Sequence, residues 1–157
     1  MKLLTYSHQG VQEVGVIASD PQKVVPVRAL GFSAQDMNEF IRQLDSRSPT
    51  EFTAQADAAP GLPLSDCRLL APIPQPRQDV VCLGVNYYEH RDETLSSNIK
   101  YDGKLTKPIY FSKRVNRAVD PNGMIDSHSN LTGQLDYEAE LAVILSRDAK
   151  DVPTDQV

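Results

Sequence analysis

Asp136, Glu138 and Glu140 stand at alternate positions in the run Gln134-Leu135-Asp136-Tyr137-Glu138-Ala139-Glu140-Leu141-Ala142-Val143-Ile144-Leu145. Successive side chains of an extended chain point to opposite faces, so a strand over 134–145 puts these three carboxylates on one side. Leu135, Tyr137, Ala139, Leu141, Val143 and Leu145 then share the other side, enough apolar surface to fix the register against a core. A row of like charges must be solvated or must meet a counter-charge. A hard divalent ion is one such counter-charge, because Mg²⁺ takes oxygen ligands at ~2.1 Å, commonly one or two carboxylates with water and substrate oxygens. Residues i and i+2 lie ~6.7 Å apart along a strand, close enough for two Glu side chains to lean onto one ion. A solvated polar face fits the same pattern, and the spacing alone leaves both readings open.

A second constellation lies in Gly84-Val85-Asn86-Tyr87-Tyr88-Glu89-His90-Arg91-Asp92-Glu93. If this segment is helical, His90 and Glu93 are one turn apart and face each other. A His oriented by a carboxylate can take a proton from water near neutral pH, which is the general-base task in hydrolysis; a solvated His in a polar loop is the plainer alternative. Arg91, Arg114 and Arg117 carry the guanidinium fork that grips a carboxylate, but each also suits a solvated surface. His8 and His128 have no carboxylate at a telling spacing, and Ser127 and Ser129 lack the Gly-flanked turn of an esterase nucleophile. No Gly-rich phosphate loop is present.

The elements that must position these groups fall into two modules. Lys2 to Tyr6, Glu13 to Ala18 and Lys23 to Val27 read as three short strands separated by Gln9-Gly10 and Asp20-Pro21 turns. Ser33, with Asp36 three residues on, reads as the cap of a helix whose Met37, Phe40, Ile41 and Leu44 form one apolar face for the meander to cover. Ser46 to Pro63 lacks sustained periodicity and reads as a linker. The second module begins near Cys67: Leu69 to Pro76 is a proline-punctuated approach, Asp79 to Leu83 a short buried strand ended by Gly84, and Lys107 to Lys113 a further strand. Asp120-Pro121-Asn122-Gly123 is a turn leading to the carboxylate strand. The last residues, 151–157, carry the proline and acidic groups of a helix start, which points to a truncated chain of marginal stability by itself.

The 157 residues suffice for one ordinary domain or a small domain and part of another, and 40% hydrophobic with 24% charged residues is a globular composition. A formal net charge of −5 with scattered Lys and Arg argues against a nucleic-acid partner. Cys67 and Cys82 lack metal-type or disulfide-framework spacing and fit reduced thiols of a cytoplasmic protein. The apolar start Met1-Lys2-Leu3-Leu4 is too short for a signal peptide or a membrane span.

The ordered set Gly84 to Glu93, Pro108-Ile109-Tyr110-Phe111-Ser112-Lys113 and Leu135 to Leu141 resembles the fumarylacetoacetate hydrolase superfamily, from about Leu69 to the C-terminus. The resemblance implies an α+β, mostly β protein: a small N-terminal α/β domain and linker (1–66), then the N-terminal part of a mixed β-sandwich roll (67–157). It implies Mg²⁺ or Mn²⁺ held by Glu138 and Glu140, a catalytic pair His90 and Glu93 on a lid-like segment, and a substrate-facing Lys113. It also implies that a third, aspartate ligand lies beyond this sequence, which leaves Asp136 without an assigned role, and that the full-length protein is a homodimer. The implied substrates are short 2-oxo acids. Hydrolytic C–C cleavage of an acylpyruvate or fumarylacetoacetate-like diketo acid leads, ahead of a decarboxylase or isomerase on the same scaffold and of a noncatalytic binding module.

Overall fold

The computed structural model describes residues 1–44, 48–90, 92 and 107–156. The chain is sheet-dominated with few helices, and it divides into two units, one made of Met1–Pro74 with Ala118–Val157 and one of Gln75–Arg117.

In the first unit, β1 (Lys2–His8), β2 (Val11–Ile17) and β3 (Lys23–Pro26) form the expected antiparallel meander. Two-residue strands β4 (Leu62–Pro63) and β5 (Arg68–Leu69) extend it at either edge, giving the order β4-β3-β2-β1-β5. The β1–β2 turn is made by Gln9 and Gly10 at φ 50° and 81°, the left-handed pair that matches the twist of a tight hairpin. Both faces of the sheet are covered. Leu4, Tyr6 and Val24 pack with Leu62, Leu64 and Cys67 on one side, and Val14, Val16 and Val25 pack against the helices on the other. Gly15 is required beneath Tyr6: a Cβ there would lie 2.8 Å from Tyr6 Cε1 and from Val24 Cγ1.

Helix α1 (Met37–Gln43) turns Met37 and Phe40 into the sheet, as its spacing predicts. Its cap is Asp36 rather than Ser33: the Asp36 carboxylate accepts Glu39 N–H at 2.9 Å, and Glu39 Oε2 in turn accepts Gln35 N–H at 2.8 Å. Asp followed three residues later by Glu satisfies two orphan amides at once, which Ser33 with Asp36 does not. The expected linker over Ser46 to Pro63 instead contains α2 (Pro49–Ala58). Pro49, at the start, has the φ a first helical turn needs, and Phe52 and Ala56, four residues apart, supply the buried stripe. Phe32 meets Phe40 and Phe52 edge-on, with ring centroids 5.0 and 5.8 Å away.

The predicted strand over 134–145 does not form: no described strand pairs with it, and its intended core face is open, with Tyr137 89% and Leu141 84% exposed. Alternation sorts side chains onto faces, but a strand exists only where a neighbour takes up its backbone donors and acceptors, and none of the described strands does so.

In the second unit, β6 (Val80–Gly84) and β7 (Ile109–Lys113) form one antiparallel ladder running from Val80↔Lys113 to Gly84↔Ile109. The run expected to be buried is mostly exposed, with only Cys82 buried, because two strands alone carry no covering layer.

Candidate functional site

Lys113 is the last residue of β7 and pairs with Val80 at one end of the ladder. Its ammonium lies 5.8 Å from the centroid of Phe111, two residues back on the same side, a cation–π contact that orients the side chain. The chain leaves β6 at the other end, Gly84, roughly 13 Å along the ladder at ~3.4 Å per residue. Val85 turns it with φ 54°, and residues 88–90 are helical, which sets His90 on an exposed helical turn. Glu93 and Arg91 lie outside the described residues, and with Glu93 the expected His90–Glu93 pair.

Asp136, Glu138 and Glu140 are exposed, and Asp136 Oδ1 accepts Tyr137 N–H at 2.8 Å. The stretch before them is braced locally. Thr132 Oγ1 donates to Gln134 O at 2.9 Å, and Leu131 and Thr132 N–H donate to His128 O at 2.7 and 3.1 Å. Carboxylate oxygens are the donor type a hard divalent ion takes. Among the described residues, no group of three or more His, Cys, Asp or Glu is gathered to hold one. By donor chemistry, then, Glu138 and Glu140 fit as a pair of ligands and not as a complete shell.

Among the described residues of the first unit, several acid–base equilibria are displaced. Burial, and then its hydrogen bond to Glu13, push the Tyr6 phenol well above its ordinary value; Tyr6 Oη donates to Glu13 Oε2 at 3.0 Å. Glu13 also receives Arg28 at 2.5 Å, and this hydrogen bond raises the guanidinium further. Two hydrogen bonds from Ser19, one from its hydroxyl and one from its N–H, hold the Asp57 carboxyl below the usual range, while burial pushes the Cys67 thiol up. Cys67 and Cys82 are both free. A shallow depression of about 610 Å³ between the β1–β2 turn and Ser65–Arg68 contains none of the predicted site residues. No helix among the described residues is long and apolar enough to cross a membrane.

Sequence reasoning missed the part played by Asp120, read only as a turn residue. Besides closing that turn by accepting Gly123 N–H at 2.9 Å, it accepts Ala71 N–H at 3.0 Å and lies 3.4 Å from Arg68 Nη1. An Asp-Pro-Asn-Gly sequence announces a turn, but nothing in it names a partner 49 residues away.

The model of the fumarylacetoacetate hydrolase C-terminal family matches residues 79–157. Oxaloacetate tautomerase YisK of Bacillus subtilis (strain 168) is 35% identical over 85 residues, 54% of this chain and 27% of that protein. The mitochondrial oxaloacetate tautomerase FAHD2A of Homo sapiens is 31% identical over 116 residues, 74% of this chain and 34% of that protein. An uncharacterized protein of Staphylococcus saprophyticus is 25% identical over 98% of this chain and 54% of its own length. The chain thus spans between about a quarter and about half of these relatives.

Proposed function

The chain belongs to the fumarylacetoacetate hydrolase family, and from that premise we propose that the whole protein is a divalent-metal-dependent enzyme acting on short 2-oxo acids, by hydrolytic cleavage of the bond beside the carbonyl of an acylpyruvate. The family match over 79–157 supports this reading, and the matched stretch includes His90, Lys113, Glu138 and Glu140. Glu138 and Glu140 would hold Mg²⁺ or Mn²⁺, and Glu93 would orient His90. When bound, the ion supplies positive charge against the carboxylate and enolate oxygens of a 2-oxo acid.

His90 takes a proton from the water that attacks the distal carbonyl. Lys113, as a substrate-facing cation, sets its ammonium against a negatively charged oxygen of the substrate. The names of two relatives favour a second reading, keto–enol tautomerisation of a 2-oxo dicarboxylate such as oxaloacetate. In that reaction His90 moves a proton to or from C3 while the carbonyl oxygen gives one to or takes one from solvent, and no water attacks. The chemical classes of residue needed are the same, so the substrate decides. We place the catalytic module at 67–157 and the smaller domain at 1–66, with a homodimer as the working assembly and the cytoplasm as its place.

The test offers acylpyruvate and oxaloacetate to the whole protein with Mn²⁺, following C–C cleavage for the first and decay of enol absorbance for the second. Cleavage supports the hydrolase, enol decay alone supports the tautomerase, and neither, with the protein folded and metal-loaded, rejects both.

A further inference from the structure

The turn Asp120-Pro121-Asn122-Gly123 closes with Gly123 N–H donating to Asp120 O at 2.9 Å. A proline second and a left-handed residue third, Asn122 at φ 60°, are the marks of a type II turn. That conformation restricts the third position: Gly adopts it without strain, and Asn and Asp tolerate it better than other side chains. The fourth position is restricted by space instead. A Cβ on Gly123 would come 2.6 Å from Val119 Cγ1 and 2.8 Å from the backbone Asp120 O, which cannot step aside as a flexible side chain can. The turn therefore accepts Asn and then calls for Gly, for two independent physical reasons. The same pair is open to a reaction within the chain, because glycine has no side chain to shield its own nitrogen from the preceding carboxamide carbon. Asn38, Asn86, Asn98, Asn116 and Asn130 precede Glu, Tyr, Ile, Arg and Leu; Asn122 alone precedes Gly. It is exposed, so water and hydroxide reach it.

We propose that Asn122 is a site of spontaneous modification, converted through a cyclic imide with Gly123 to aspartate and isoaspartate at a rate set by opening of the turn. Hydroxide takes the Gly123 N–H proton, and the nitrogen attacks Asn122 Cγ to close the imide ring. The Cγ–Nδ2 bond breaks and ammonia leaves. Water then opens the imide at either carbonyl, leaving a carboxylate in place of the carboxamide and carrying the backbone through the α-carbonyl in aspartate or through the former side chain in isoaspartate. The turn holds this reaction back. The attacking N–H is the one given to Asp120 O, so the turn has to open first. Opening is opposed by the Asp120 carboxylate, which accepts Ala71 N–H at 3.0 Å and lies 3.4 Å from Arg68 Nη1, all within the first unit. The reaction undoes that anchor: isoaspartate lengthens the backbone by a methylene between the third and fourth residues, and either product sets a new carboxylate close to Asp120.

The chemistry draws on no substrate or metal, so its outcome does not depend on what the protein turns over. The whole protein and its Asp120→Ala and Asp120→Asn variants are held at mildly alkaline pH and sampled by peptide mapping that resolves isoaspartate from aspartate. The peptide carrying position 122 is expected to convert ahead of those carrying the other asparagines, and faster still in protein unfolded by guanidinium. Asp120→Ala should convert about tenfold faster than wild type, the equilibrium worth of one hydrogen bond to a charged group at the lower end of its range. Asp120→Asn keeps an acceptor for Ala71 N–H and should stay near wild type. Where the alanine variant does not fold, Arg68→Ala removes one of the two partners and should convert faster than wild type. The purified isoaspartate form should show faster amide exchange across 68–71 and 118–123, with β2 and β3 unchanged. Conversion at 122 no sooner than at the other asparagines, equal rates in wild type and the loosened variants, or unchanged exchange in the isoaspartate form overturns the proposal.

Discussion

Tyr6→Phe isolates one hydrogen bond in the first unit. The ring stays, so its packing over Gly15 and against Val24 is kept, and only the phenol O–H that donates to Glu13 Oε2 at 3.0 Å is lost. A hydrogen bond to a charged acceptor contributes roughly 1.5–3 kcal/mol. Glu13 keeps Arg28 at 2.5 Å, so its carboxylate is not left bare, and the lower end, about 1.5 kcal/mol, applies. For a chain of this size that is a fall in Tm of roughly 3–6 °C. The pH dependence has a definite sign. The folded-state value of Tyr6 is raised, so its contribution is fully present below the unfolded value of about 10 and is lost as pH rises through the folded one. Urea unfolding at pH 7 should show the full difference between wild type and Tyr6→Phe, and the same comparison above pH ~10 should show it shrinking. A difference under about 0.5 kcal/mol at pH 7, or a gap that widens with alkali, refutes the reasoning.

Phe40→Ala empties the centre of the aromatic cluster beside Phe32 and Phe52 and should cost about 3–5 kcal/mol by denaturant unfolding. Asp57→Asn should leave stability near neutral pH lower and flatten its acid limb: the lowered Asp57 carboxyl contributes above the ordinary carboxylate range, and that contribution is lost as pH falls through its folded value. An acid melting series on both proteins checks this, and parallel curves count against it. His90→Ala in the whole protein should spare Mn²⁺ affinity and lower turnover by roughly 10²-fold or more, the scale of a lost general base; an equal loss of metal binding puts His90 in a different role.

The N-terminal meander and α1 were legible because their signals are local. Gln9-Gly10 makes its own turn, and Met37 and Phe40 declare a face within one helix. The cap of α1 was misread by three residues because Ser33 and Asp36 are both competent caps, and only Glu39 reaching back distinguishes them. Helix α2 was missed because Pro49 and the Ser- and Ala-rich composition around it speak for a loop, while its buried stripe is only Phe52 and Ala56. The strand expected to carry the carboxylate row was not legible: alternation at Asp136, Glu138 and Glu140 needs a partner strand before it becomes a face, and pairing is a non-local property. Asp120 was legible as a turn and not as a clasp for the same reason, since its partners Arg68 and Ala71 are far away in sequence.

The proposed activity requires that Glu138 and Glu140 hold a divalent ion in the whole protein. Titrating Mn²⁺ into the whole protein and into its Glu138→Gln and Glu140→Gln variants, by calorimetry and with 2-oxo acid turnover read on the same samples, measures this directly. Each substitution removes a charged oxygen and almost no volume, so the fold should persist while Mn²⁺ affinity falls at least about tenfold, the scale on which even an outer partner of a metal ligand acts, and turnover falls with it. Wild-type affinity and wild-type turnover in both variants would contradict the assignment.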